Sequence, residues 1–332
     1  MKRKITLFIA VLICVLLCGC NGYTELNNRY VITALGVDFN GEVTVSAEIF
    51  ISGDTIKTDL KRTVVRTSAE NISKAFYKLK SALSKNPFLD HCTAVVIGES
   101  VDEKVLKETF EFCKNQQSIN LGIDFVLCEN AEVLLKNENY NTAIGFDIAS
   151  SIDSFKNNNG IDFNCKHLKI ESDLSNPQKI YTLPYLETDA GGVNIHSAAI
   201  FNEFKIIKKL TKEDMILYSV LCNKNSGDTG IFLYSEYADL SYCRTVLDIK
   251  EKGDTVHLNL KTKISKKKSS ENFDNALIFG INNLIKGSEN DIFGFLNRIE
   301  QKDLKLYKKV KENYKNLYQS GKIKINYTVE NI

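Results

Sequence analysis

The sequence predicts a multi-domain protein of mixed α/β and α+β class, with helix-covered sheets, behind an exported and membrane-tethered N-terminus. Three observations predict it. Strand-period and helix-period apolar segments alternate from Tyr30 to Leu135. A second group of strands, then two helical segments and a last strand, fills Val193 to Val329. Residues 1–20 carry a basic start, a short apolar run and a small residue before a cysteine.

Lys2, Arg3 and Lys4 form the basic start, and Ile5 to Leu17 is too short for a comfortable membrane span. Leu17-Cys18-Gly19-Cys20 then reads as a lipoprotein processing site: Gly19 leaves room for the peptidase, and the Cys20 thiol accepts a diacylglyceryl group. Two acyl chains, at about 0.8 kcal/mol per buried CH₂, hold a protein on a bilayer far more firmly than one. The expected organisation is a signal peptide over 1–19, a lipidated tether over 20–29, an N-terminal α/β domain over 30–136, a middle region over 137–190 and a C-terminal α+β domain over 191–332.

Taken in order, Val31 to Phe39 is an apolar run, Asn40-Gly41 is the strongest short hairpin signal, and Val43, Val45, Ala47, Ile49 and Ile51 alternate after it. Thr67 and Glu70 have capping-box spacing before Ile72, Ala75, Phe76, Leu79 and Leu83, a helix that ends before Asn86-Pro87. Ala94 to Ile97 predicts a short buried strand, Asp102 to Lys114 a helix, Ile123 to Leu127 a strand and Ala131 to Leu135 the start of a helix. From Asn137 to Asp189 the periodicity weakens among Asn157-Asn158-Asn159-Gly160, Ser175-Asn176-Pro177 and Leu183-Pro184, which reads as a linking region with a small substructure. Beyond Gly191-Gly192 come strands near Val193 to Phe201 and Lys205 to Leu210, then a helix from Thr211 to Leu221 with Thr211 as N-cap. Thr245 to Ile249 and Val256 to Ile264 form a hairpin of the expected antiparallel C-terminal sheet. Helices over Phe273 to Lys286 and Asp303 to Gln319 make a late helix pair before the strand Ile323 to Val329.

Composition narrows function. The 332 residues carry a formal charge of +2, and removing Lys2, Arg3 and Lys4 with the leader takes this to −1, without the excess of a nucleic-acid binder. Lys266-Lys267-Lys268 reads as a solvated hairpin end or loop, with contact to anionic headgroups as the alternative. Cys92, Cys113, Cys128, Cys165, Cys222 and Cys243 are even in number, but their wide, irregular spacing and apolar neighbours favour buried thiols over a disulfide framework. Without C-x-x-C or H-E-x-x-H there is no expected metal, and no Walker, G-x-G-x-x-G or G-x-S-x-G motif points to a cofactor or nucleophile. His91 and Cys92 are adjacent, so their side chains diverge on a strand; His167, His196 and His257 are too scattered to argue a shared site. No catalytic, cofactor-binding or metal-binding residue is expected.

The order of segments resembles the GerAC-type spore germination lipoproteins, the C subunits of nutrient germinant receptors. The residues that carry the resemblance are Cys20, Glu25-Leu26-Asn27, Leu35-Gly36-Val37-Asp38, the helical segment Ala69 to Lys85, Asp90-His91 through Val95-Val96-Ile97-Gly98-Glu99, Leu183-Pro184, Ala198-Ala199-Ile200-Phe201 and Asn290-Asp291-Ile292-Phe293-Gly294-Phe295. The chain departs from the family where Asn21-Gly22 follows Cys20 in place of Trp-Asp, and it has no tryptophan. The resemblance implies a non-enzymatic subunit without cofactor, lipid-anchored through Cys20 on the outer face of the spore inner membrane. It also implies two integral-membrane partners of A and B type; beside it stands the expectation that the soluble part is an assembly or signalling element that does not itself grip the germinant. The alternative classes are a substrate-binding lipoprotein of a membrane transporter, which would show two lobes about a cleft, and an anchored hydrolase, which would need a nucleophile or metal cluster.

Overall fold

The computed structural model describes residues 29–51, 61–137, 143–176, 179–189, 192–223, 229–288 and 291–332. Cys20, the leader and Glu25-Leu26-Asn27 lie outside the described residues.

A nine-stranded sheet organises the chain from Arg29 to Leu210. Its spatial order is β3 (Lys61–Ala69), β2 (Val43–Ile51), β1 (Arg29–Phe39), β5 (Ala94–Gly98), β6 (Asp124–Cys128), β7 (Ile180–Asp189), β8 (Gly192–Asn202) and β9 (Lys205–Leu210), with β4 (Asn86–Phe88) beside the start of β1. β1, β5, β6 and β7 run parallel, and antiparallel hairpins extend the sheet at both sides. The Asn40-Gly41 turn is present, with Gly41 at φ +80° in the left-handed region. β1, β5 and β6 are near-continuous apolar runs because helices cover both faces of the parallel centre.

Register decides which face each side chain meets. Ala34, Gly36 and Asp38 of β1 pair with Glu48, Ser46 and Thr44 of β2, so these six share a face. Val45, Ala47 and Ile49 take the other face, where α1 (Ile72–Ala82) buries Ile72, Ala75, Phe76 and Leu79. The α1 N-cap is Asn71, whose side chain accepts from Lys74 N at 3.0 Å; Thr67 lies within β3, so the Thr67/Glu70 capping box is not formed. That spacing is equally compatible with a strand that ends on polar residues, and pairing with β2 decides between them.

On the Asp38 face lie α3 (Ala131–Leu135) and α4 (Ile144–Asn159), while α2 (Glu103–Asn115) follows β5. The Asp38 carboxylate accepts from Ala131 N and Glu132 N at 2.9 and 3.0 Å, holding the first turn of α3 against the end of β1. Burial raises the Asp38 carboxyl above its ordinary value, against those two N–H donors. Two glycines make the contact sterically feasible. A Cβ on Gly98 would lie 2.0 Å from Asp38 Oδ1, and one on Gly36 would press on Leu135 and Ala131 at 3.0 and 3.1 Å. The sequence pattern Gly36-Val37-Asp38 and Gly98 is therefore a helix-docking device.

The N-terminus of α4 has no side-chain cap of its own. Glu48, fully buried, supplies one from β2: its carboxylate accepts from Ile144 N at 2.9 Å, Gly145 N at 3.1 Å and Thr33 Oγ1 at 2.5 Å. Arg62 of β3 pairs with it, and also donates to the carbonyls of Leu135, the last residue of α3, and of Asn137 beyond it. Five elements meet at this ion pair.

The middle region, expected to carry a small substructure, holds α4, α5 (His167–Leu174) and β7. The boundary expected at 190/191 needs correction. Those two residues lie outside the described ones, but β7 and β8 flank them as a hairpin, paired from Ile180↔Asn202 to Asp189↔Gly192, so the sheet runs through it. Glycine-rich punctuation serves a hairpin as well as a domain linker.

A second sheet has the order β10 (Thr229–Leu233), β11 (Glu236–Lys252), β12 (Thr255–Ser269) and β13 (Ile323–Asn331). Val256, Leu258, Leu260, Thr262 and Ile264 point inward as their alternation predicts, towards α6 (Lys212–Cys222) and α7 (Phe273–Lys286). Thr211 caps α6 in a full capping box with Asp214. β10 to β12 are antiparallel, whereas β13 returns parallel to β12, because the helices between them form a crossover. The segment expected as one helix from Asp303 is two, α9 (Leu304–Val310) and α10 (Tyr314–Gln319), with α8 (Phe295–Lys302) before them. Lys266 is not solvated at a hairpin end; it stands in β12, 3.0 Å from both carboxylate oxygens of Asp274.

Candidate functional site

Where the parallel strands end, the larger sheet opens. β6 and β7 share one registered pair, Leu127↔Tyr185, and the gap beyond it leaves a cavity of about 420 Å³ at the carboxyl ends of β5 and β6. This is where open α/β sheets place ligands. Pro184 stands in β7 beside the gap, a position where a residue with no N–H to donate is tolerated because the ladder is short.

The floor is apolar, from Ile97, Leu106, Leu127, Phe201 and Phe204, and the rim is polar. Glu99, directly after β5, accepts from Lys209 Nζ of β9 at 2.7 Å and hydrogen-bonds the Tyr185 hydroxyl. The Lys209 bond holds the Glu99 carboxyl below its usual range, while burial, followed by Glu99, pushes the Tyr185 phenol up. An irregularity between Tyr185 and Leu186 leaves His196 opposite no β7 residue, and its ring stands edge-on to Tyr185 with Nε2 3.1 Å from Glu187 Oε1. The site thus joins the parallel half of the sheet to the β7–β9 hairpins through a Glu99–Tyr185–Lys209 bridge. An ion pair and a phenol over an apolar floor can bind; they supply no activated nucleophile.

Sequence reasoning quoted Glu99 only as part of a motif and missed Tyr185 and Lys209. Their one signal was Leu183-Pro184, which read as turn punctuation. The residues weighed for chemistry are dispersed. Cys20 lies outside the described residues. His91 is exposed in the turn before β5, whereas Cys92 is buried, its thiol donates to Ala94 O at 3.6 Å, and burial pushes it up to about 12. His167 is buried, stacked on Phe110 at 3.9 Å with Nε2 3.2 Å from Phe110 O, and burial lowers its basicity. His257 faces outward on β12. Cys92, Cys113, Cys128 and Cys165 are buried free thiols, Cys243 is buried and Cys222 is partly exposed. Among the described residues no group of three His, Cys, Asp or Glu side chains could hold a metal, and no helix is long and apolar enough to cross a membrane.

The fold and the cleft define an α+β protein whose buried polar residues chiefly cap helices and tie strands together. The family model for the spore germination protein N-terminal domain matches residues 22–188, half of the chain, and the chain belongs to this GerAC family of spore germination proteins. A crystal structure of the GerBC protein is similar at a TM-score of 0.49 with 10% sequence identity, covering 90% of this chain and 96% of that one. No curated protein sequence matches the chain.

Proposed function

We propose that the chain is the non-catalytic C subunit of a nutrient germinant receptor. In this reading diacylglyceryl-Cys20 holds it on the outer face of the spore inner membrane, where it acts with two integral-membrane subunits of A and B type. The carrying observation is the family match over residues 22–188, which begins two residues after the Gly19-Cys20 processing site. The anchor keeps the folded part near the bilayer and so raises its effective concentration for membrane partners. Residues 20–29 serve as the tether, and the two sheets as an assembly or signalling element that does not grip the germinant. The dispersed histidines and the deeply buried thiols support a role without catalysis.

The test is affinity capture of the full-length protein from spore membranes beside a Cys20→Ala variant, with mass spectrometry of what co-purifies. Two polytopic partners with wild type, reduced with Cys20→Ala, are the expected result. Recovery of transporter permease components would overturn the reading in favour of a substrate-binding lipoprotein.

A further inference from the structure

The opposite end of the larger sheet, where β1, β4, β5 and β6 begin, carries a surface with its own chemistry. Two cations sit over aromatic rings there: the Arg29 guanidinium carbon is 4.7 Å from the Phe88 ring centre, and Lys85 Nζ is 5.7 Å from that of Tyr30. The Tyr30 hydroxyl is 2.9 Å from Ser84 Oγ, and the exposed His91 ring stands edge-on to Phe88 at 5.6 Å. On the approach to β6, Leu121 is 37% exposed, and Leu168, 60% exposed, donates its N–H to the Leu121 carbonyl at 3.1 Å. Among the described residues the acids of this end include Asp90, exposed beside His91, Asp124, buried at the start of β6, and Glu171, which Lys114 takes up at 2.6 Å.

Aromatic rings with cations above them, at the same end of the sheet as exposed leucines, make an interfacial surface: apolar bodies suit the acyl boundary and charged heads suit phosphate. The path of the chain selects the occupant. Cys20 precedes Arg29 by nine residues, a reach of about 30 Å at full extension. An acylated Cys20 therefore confines this end of β1 to the neighbourhood of the headgroups. β1 itself carries the chain roughly 35 Å further, towards the Glu99 cleft.

We propose that this end of the sheet rests on the anionic headgroup surface of a phospholipid bilayer. Arg29 and Lys85 meet phosphates and Leu121 and Leu168 meet the acyl boundary, so that the cleft faces away from the membrane. The proposal rests on lipidation of Cys20 for its orientation, but the surface contact is measurable without the anchor.

The test uses the chain from Cys20 onward with Cys20→Ser; every described strand and helix lies beyond residue 28 and is retained. It is sedimented with phosphatidylcholine vesicles with and without phosphatidylglycerol. Binding should require phosphatidylglycerol and weaken with salt. The Arg29→Gln/Lys85→Gln pair should lower the partition coefficient by about thirtyfold, roughly fivefold per basic residue. Lys85→Gln alone, outside any strand, repeats the reading at about fivefold without touching β1. Lys324→Gln, on β13, should leave binding unchanged. Equal binding to both vesicles, or undiminished binding by the folded Lys85→Gln variant, overturns the proposal. The mass of Cys20 peptides from the full-length protein in its native membrane reads the anchor separately. An acylated Cys20 without vesicle binding overturns the surface contact alone, and an unmodified Cys20 overturns the anchor reading whatever the vesicles show.

Discussion

Glu48→Ala should be among the most damaging single changes in the larger sheet. The carboxylate is fully buried and receives four donors: Arg62, Thr33 Oγ1, and the first two N–H groups of α4. Removing it leaves the Arg62 guanidinium, itself largely buried, without its counter-charge, a situation that costs about 3–5 kcal/mol. The uncapped α4 amides add about 1 kcal/mol more. Arg62→Met should cost less, because the stem still packs and Glu48 keeps three donors. The double variant should then be cheaper than the two singles together by at least about 1 kcal/mol, since neither charge is left stranded. The assay is chemical denaturation of all four proteins at matched salt, with the slope checked for two-state behaviour. A Glu48→Ala cost below about 1 kcal/mol, or strict additivity, would refute the view that this ion pair ties the strands to α4.

Other consequences are checked in the same way. Gly98→Ala should destabilise by about 1–3 kcal/mol, because its Cβ would meet Asp38 Oδ1, and the penalty should shrink in an Asp38→Ala background. Asp291 accepts from Phe295 N and Leu296 N at the start of α8, and burial pushes its carboxyl from 3.8 to about 6. The folded state thus holds a proton that the unfolded chain has lost, so the Asp291 contribution is greatest below about pH 4 and falls as pH rises through 6. Asp291→Asn should flatten the stability profile over that window, by up to about 3 kcal/mol at 1.36 kcal/mol per pH unit. Alkylation timed by mass spectrometry should label Cys222, the partly exposed thiol, first, and Cys92, Cys113, Cys128 and Cys165 only on unfolding, since burial raises all four thiols.

Much of the local structure was legible in sequence. The Asn40-Gly41 turn, the Ile72 to Leu79 face of α1, the Thr211 cap of α6 and the inward face of β12 follow from periods and caps that neighbours reinforce. The weak stretch after Asn137 was not. In α4 the N-terminal cap is Glu48, distant in sequence, and β7 contains Pro184 and meets β6 at one pair, so neither carries a clean local signal. The same separation hid the cleft: Glu99, Tyr185 and Lys209 come from three distant segments.

What the sequence determined by itself was what is encoded within a few residues: the strand and helix periods, the buried character of Cys92, Cys113, Cys128, Cys165 and Cys243, and the ordered motifs of a spore germination protein. The tertiary structure alone decided why Gly36, Asp38 and Gly98 occur together, which buried carboxylate caps which helix, and that one sheet continues past residue 190. Cross-strand register sets those contacts, and register is a property of paired strands.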